Sequence, residues 1–269
     1  MAQTHLIVGA GNMGGALLSS WVRDSIVSPR NLVILDPKPG SEAVYLIERG
    51  ARHIEDPSDI PKSVRLVLLA IKPQLFVSLN RQLASHLPEA ALIISIMAGT
   101  SSDTLRRAFP DATIIRAMPN TPASVGRAVT AYAPDDTITD DQISQCEALL
   151  GTNGAVIRVD DDRAIDAVTA VSGSGPAYIF HLCEALSDAA VQLGFDANTA
   201  RLLARETVIG ASTLLDASER TPTELREAVT SPGGTTQAAL DVLMGDQALT
   251  LLMRQTVRAA FDRAQELSR

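Results

Sequence analysis

Along the first half of the chain, short apolar runs alternate with longer stretches in which apolar residues recur every three or four positions. The runs predict strands at His5–Val8, Leu32–Leu35, Arg65–Ile71, Ala91–Met97, Thr113–Ala117, Ala128–Ala133 and Ala155–Val159. Amphipathic stretches predict helices around Met13–Asp24, Ser41–Arg49, Leu75–His86, Ser102–Phe109 and Asp140–Leu150. A run such as Leu66–Ile71 has no polar face, which suits a parallel sheet covered by helices on both sides. Strand–helix alternation of this kind predicts a doubly wound α/β domain.

After about Asp160 the pattern changes to long stretches rich in Ala and Leu, with no convincing strand from Arg163 onward. Asp196 is a candidate N-cap for a helix over Ala197–Ala217. Thr221-Pro222-Thr223-Glu224 reads as a capping box with proline at the first helical position. The small residues of Val171–Tyr178 are expected to interrupt a helix, and the glycine-rich Ser231–Thr236 to break one helix and start the next. Two domains follow, an α/β domain over residues 1–160 and an all-helical one over 161–269. No repeat at solenoid spacing is present.

Composition narrows the classes. A formal charge of −8 argues against a nucleic-acid surface, which needs clustered Lys and Arg. The uncharged stretches Ala90–Ser102 and Ala167–Cys183 fall short of the roughly 20 residues that cross a bilayer, and no leader-like segment opens the chain. Cys146 and Cys183 form no CxxC pair and are expected as buried thiols in a reducing cytoplasm. The four histidines fall singly, so no metal is expected.

The candidate chemistry lies in the loops. Gly9, Gly11 and Gly14 follow a strand and open a helix, the frame in which GxGxxG holds a dinucleotide. The first glycine allows the turn, the second lets the backbone approach a pyrophosphate, and the third lets helix pack on strand. The next strand ends at Asp36, placed to bond adenosine ribose hydroxyls, while Lys38 could meet the extra phosphate of NADP. Asp36 leans the chemistry toward NAD, and NADH against NADPH stays open. Lys72 ends a further strand, where it is either a solvated lysine or a neighbour of the cofactor. Two prolines stiffen Asn120 and Thr121. In Thr230–Leu240, amides at a helix start and the hydroxyls of Ser231, Thr235 and Thr236 can grip a carboxylate or a phosphate.

Taken together, GAGNMG (Gly9–Gly14), IKPQ (Ile71–Gln74), MAG (Met97–Gly99), RAMPNTP (Arg116–Pro122), SGSGPAY (Ser172–Tyr178) and SPGGTT (Ser231–Thr236) resemble pyrroline-5-carboxylate reductases over nearly the whole chain. The resemblance implies an N-terminal Rossmann-type sheet followed by a helical dimerisation domain that interlocks with a second subunit, with dimers commonly assembled into decamers. It implies reduction of 1-pyrroline-5-carboxylate to proline with NADPH or NADH. Gly9, Ala10, Gly11, Asn12, Met13 and Gly14 would hold the pyrophosphate. Ala70, Lys72, Pro73, Ala98 and Gly99 would line the nicotinamide side, with Met118 and Asn120 close by. Ser231, Gly234, Thr235 and Thr236 would bind the substrate carboxylate, with the Thr236 hydroxyl toward the ring nitrogen as the catalytic contact. Glu219 would reach the site from the partner subunit, and Asp162 stands where relatives often have a glutamate near the substrate.

Two rival readings fit the sequence less well. A non-catalytic dinucleotide sensor needs no hydroxyl-rich anion loop. A 3-hydroxy-acid dehydrogenase generally depends on a lysine in its helical domain, and residues 163–269 contain none.

Overall fold

A computed structural model describes residues 3–268. Eight strands, β1 (Thr4–Val8), β2 (Leu32–Leu35), β3 (Arg52–Ile54), β4 (Val64–Leu69), β5 (Leu92–Ser95), β6 (Thr113–Met118), β7 (Ala128–Pro134) and β8 (Gly154–Arg158), form one sheet in the order β3-β2-β1-β4-β5-β6-β7-β8. Its first six positions repeat the 3-2-1-4-5-6 order of dinucleotide-binding sheets. Helices α1 (Asn12–Arg23), α2 (Ser41–Ile47), α3 (Pro73–His86), α4 (Ser102–Ala108) and α5 (Asp140–Gly151) connect the strands.

The apolar strands are buried on both faces because alternate residues feed opposite cores. Ile7, Ile34, Leu66 and Leu68 pack with Leu17, Leu18 and Trp21 of α1 and with Leu149 of α5. Leu6, Val8, Val67 and Leu69 face the other way, toward Phe76 and Leu83 of α3 and Leu105 of α4. The buried Trp21 indole donates to the Leu149 carbonyl at 2.8 Å, satisfying its polar atom while tying α1 to α5.

Two features depart from the pattern-based expectation. The edge strand β3 is too short and too polar to register as an apolar run. β7 runs antiparallel to β6 in a sheet expected to be parallel. Only residues 119–127 join those two strands, too few for a parallel crossover, so the chain turns back on itself.

The chain divides into two compact units, residues 3–174 with 260–268, and Gly175–Ala259. The first therefore takes in α6 (Asp162–Val168), the following turn at Thr169–Gly173 and the last turns of α11 (Ala248–Leu267). The Thr169–Gly173 segment does not break the helical path. It widens into a single π-helical turn, and Ser174 stays helical at φ −85° and ψ −22°.

The second unit comprises α7 (Gly175–Gln192), α8 (Ala197–Asp216), α9 (Pro222–Ala228), α10 (Thr235–Met244) and most of α11. Asp196 caps α8 by accepting the Asn198 and Thr199 amides, and Thr221 with Glu224 forms the capping box of α9. Among its described residues only Ala200 and Ala204 are buried, whereas Phe180, Leu193 and Val242 are 66%, 82% and 75% exposed. Helices carrying so much apolar surface lack a core of their own. A cavity of about 650 Å³ runs between α7 and α8, walled by Ile179, Phe180, Val191, Val208 and Ile209.

Candidate active site

The turn from β1 into α1 leaves no room for a side chain at two of its three motif glycines. Gly9 has φ +90°, and a Cβ there would lie 2.6 Å from Ile71 Cγ2 and 2.8 Å from the Ala70 carbonyl oxygen. A Cβ on Gly14 would collide with the Gly9 carbonyl. Gly11, by contrast, is exposed and has nothing within 4 Å of its Cβ position. α1 begins beside that open space with no side-chain cap, so the amides of Asn12, Met13 and Gly14 are left for a ligand. Open space above bare helix amides suits a dinucleotide pyrophosphate.

Asp36 closes β2 directly beside this loop. One carboxylate oxygen accepts the Ala10 amide at 2.7 Å and the other accepts the Lys38 amide at 2.8 Å. The Gly40 amide returns a bond to the Ala10 carbonyl at 3.0 Å, so the loop after β2 grips Ala10 on both its polar groups. The Lys38 side chain is exposed.

The ends of β4, β5 and β6 open on the same rim, since these strands run parallel to β1. Ala70 abuts Gly9 and Gly14, and Lys72 and Pro73 begin α3, which also lacks a side-chain cap. Ala98 is exposed, Gly99 sits at φ +66°, and Met118 is half-buried at the end of β6.

Like Ala10, two further residues expected near ligands spend polar groups on the protein. The Asn120 amide donates to the Ser172 carbonyl at 3.0 Å and accepts the Val129 amide at 2.9 Å, joining the RAMPNTP loop to the SGSG turn. Asp162 accepts the Ser102 amide and hydroxyl at 2.8 and 2.7 Å and pairs with Arg116 at 3.2 Å. Arg116, which no motif argument had assigned a role, is buried and also pairs with buried Asp166 at 2.7 Å. The only hint in the sequence is an arginine inside the otherwise apolar run Thr113–Ala117.

In the helical unit, Ser231–Gly234 form a turn closed by the Gly234 amide on the Ser231 carbonyl at 3.0 Å. α10 then starts without a side-chain cap, whereas α8 and α9 have one. Ser231 and Thr235 are exposed and Thr236 is half-buried at the second helical position. Glu219 is exposed in the connection between α8 and α9. The cysteines differ. Cys146 is buried, and burial together with the Glu147 charge pushes its thiol up to about 12. Cys183 is only half-buried on α7, not sequestered as expected.

Comparison with known proteins decides between the remaining readings. Residues 162–267 match the family model described as pyrroline-5-carboxylate reductase dimerisation. Residues 5–99 match one described as NADP oxidoreductase coenzyme F420-dependent. The chain is 39% identical to pyrroline-5-carboxylate reductase of Synechocystis over 98% of its own length and 97% of the relative's. It belongs to the pyrroline-5-carboxylate reductase family. With the enzyme of Pseudomonas aeruginosa the identity is 35%, covering 97% of this chain and 95% of the other. A solved pyrroline-5-carboxylate reductase from Coxiella burnetii superposes with a TM-score of 0.90 at 32% identity, covering both chains completely. As a pyrroline-5-carboxylate reductase, the protein is an NAD(P)H-dependent oxidoreductase that reduces pyrroline-5-carboxylate to proline. Its dimerisation domain makes it self-associating, in keeping with the coreless helical unit. Among the described residues no helix is long and apolar enough to cross a membrane.

Proposed function

We propose that the cofactor pyrophosphate lies over Gly9–Gly14, held by the amides of Asn12, Met13 and Gly14. Its adenosine ribose faces Asp36 and Lys38, and the nicotinamide lies toward Ala70, Lys72, Pro73, Ala98, Gly99 and Met118. The open space at Gly11 and the rim shared by the parallel strands support this placement. A bound nicotinamide supplies the hydride. The protein's task is orientation, because an imine that enters protonated is already electrophilic and keeps its proton on the product amine.

The substrate carboxylate is held by Ser231, Gly234, Thr235 and the first amides of α10, with the Thr236 hydroxyl toward the ring nitrogen. The uncapped start of α10 carries this reading, since its amides are satisfied by no side chain of the helix's own loop. Glu219 approaches the site of the partner subunit. Asp162 and Asn120 act through the loops they hold, because their polar atoms are already engaged. The working assembly is a dimer, which is also the unit of any decamer. Two free cysteines and an acidic surface suit a cytoplasmic enzyme with no membrane or nucleic-acid partner.

A comparison of pyrroline-5-carboxylate with plain 1-pyrroline tests the carboxylate site. The native enzyme should prefer the acid, and Ser231→Ala combined with Thr235→Val should shrink that preference at least roughly tenfold, since even one bond to a charged group is worth about 1.5 kcal/mol or more. An undiminished preference would place the carboxylate elsewhere.

A further inference from the structure

Two segments distant in sequence, α6 and the residue that follows α11, meet at the Arg116 guanidinium. It is 3% exposed, pairs with Asp162 and Asp166, and donates to the Ser268 hydroxyl at 3.3 Å. Ser268 in turn donates to Asp166 at 3.1 Å. Asp162 passes the connection on, because its two oxygens hold the amide and hydroxyl of Ser102, the first residue of α4. Ser102 ends the loop that begins at Met97. From the other side the same loop is met by the end of α11. A Cβ on Gly99 would lie 3.0 Å from Leu267 Cβ and 3.1 Å from the Leu267 carbonyl oxygen.

The loop over residues 97–102 is thus held twice, by a carboxylate bonded at its end and by close packing against Leu267 at its centre. Both holds lead back to Arg116, one through Asp162 and the other through Ser268, the residue after Leu267. We propose that Arg116, Asp162, Asp166 and Ser268 form a clamp that fixes the 97–102 loop in the geometry hydride transfer requires, with Asp162 and Ser268 acting as positioning residues. It rests on the assignment of this loop to the nicotinamide side. A buried guanidinium shared by two carboxylates is well suited to this, since its planar fork fixes direction as well as distance. Displacing a reacting group by about 1 Å can cost up to ~100-fold in rate, so a loop beside the nicotinamide has reason to be held rigidly.

The test compares Ser268→Ala, Ser268→Thr and Asp162→Ala with the native enzyme. Amide hydrogen exchange over residues 97–102 reads the clamp itself, without cofactor. Steady-state constants and the isotope effect with cofactor deuterated at the transferred position read its consequence. Ser268→Ala and Asp162→Ala should both lose exchange protection in this loop. Both should lower kcat by roughly five- to tenfold, about the worth of one ordinary hydrogen bond, with a larger isotope effect. The KM for the imine and the Kd for NADPH should stay close to native, and Ser268→Thr, which keeps the hydroxyl, should restore both exchange and kcat. Unchanged protection in the two alanine variants would overturn the clamp. So would an Asp162→Ala variant that raises the imine KM while Ser268→Ala changes nothing, since Asp162 would then meet substrate directly. Lost protection with native kcat and isotope effect would overturn the catalytic role and remove the loop from the nicotinamide side, leaving only a structural clamp.

Discussion

The Asp36 carboxylate accepts the Ala10 amide at 2.7 Å, so the acid at the end of β2 is bonded to the Gly9–Gly14 turn itself. Its other oxygen holds the Lys38 amide, and each oxygen keeps a lone pair for a ribose hydroxyl. In the proposed placement Asp36 both shapes the loop and reads the ribose. These roles separate in kinetics. Asp36→Ser removes a charge that repels the extra phosphate of NADP, so the ratio of kcat/KM for NADPH over NADH should rise by about 1–2 kcal/mol, roughly tenfold or more. Loss of the Ala10 contact should weaken both cofactors together. An unchanged ratio with both weakened would assign Asp36 to the loop alone. Lys38→Ala should shift the ratio the opposite way.

The predicted pH response of stability centres on His5 in β1. Burial holds its imidazole below the ordinary value of 6.5, only partly offset by a hydrogen bond that the ring donates to the Gln3 backbone. Its Nδ1 has no hydrogen-bond partner, which leaves a charged ring poorly accommodated. The unfolded chain therefore binds a proton at higher pH than the folded one. Stability is fully present above about pH 6.5 and is lost as pH falls through the depressed folded value. Thermal melts between pH 7.5 and 5 should show a steeper decline for the native protein than for His5→Phe. Parallel curves would remove His5 from the account.

Much of this architecture is legible in the residues, and the illegible parts share a cause. The strands of the nucleotide-binding half announce themselves because burial on both faces demands unbroken apolar runs. The caps at Asp196 and Thr221 are equally plain, since they act within three residues. Strand β3 escapes notice because Arg52–Ile54 is a polar three-residue edge. The reversal at β7 leaves no mark, since an apolar strand looks the same in either direction. The turns into α1 and α10 are readable as helix starts from glycine spacing and residue type. The partners of Asn120 and Asp162 are not, because Ser172 and Ser102 lie 52 and 60 positions away and are brought close only by tertiary packing.

Assembly should follow from the helical unit. Phe180 on α7 is 66% exposed beside the α7–α8 cavity, an arrangement that a second chain would cover. Light scattering at assay concentration should find a dimer or a multiple of it. Phe180→Glu would bury an unpaired carboxylate at that surface, at a cost of about 3 kcal/mol or more, and should lower assembly and activity together. A fully active monomer would contradict this.

The central claim is that the start of α10 holds the substrate, with Thr236 beside the ring nitrogen. Thr236→Val preserves the side-chain shape and removes only the hydroxyl, so kcat/KM for the imine is the quantity to measure, alongside Kd for NADPH. One hydrogen bond to a charged group is worth about 1.5–3 kcal/mol, so kcat/KM should fall roughly ten- to hundredfold. NADPH affinity should hold, and Thr236→Ser should recover most of the loss. Native kcat/KM in Thr236→Val, or a loss of cofactor affinity as large as the loss of turnover, would contradict the account.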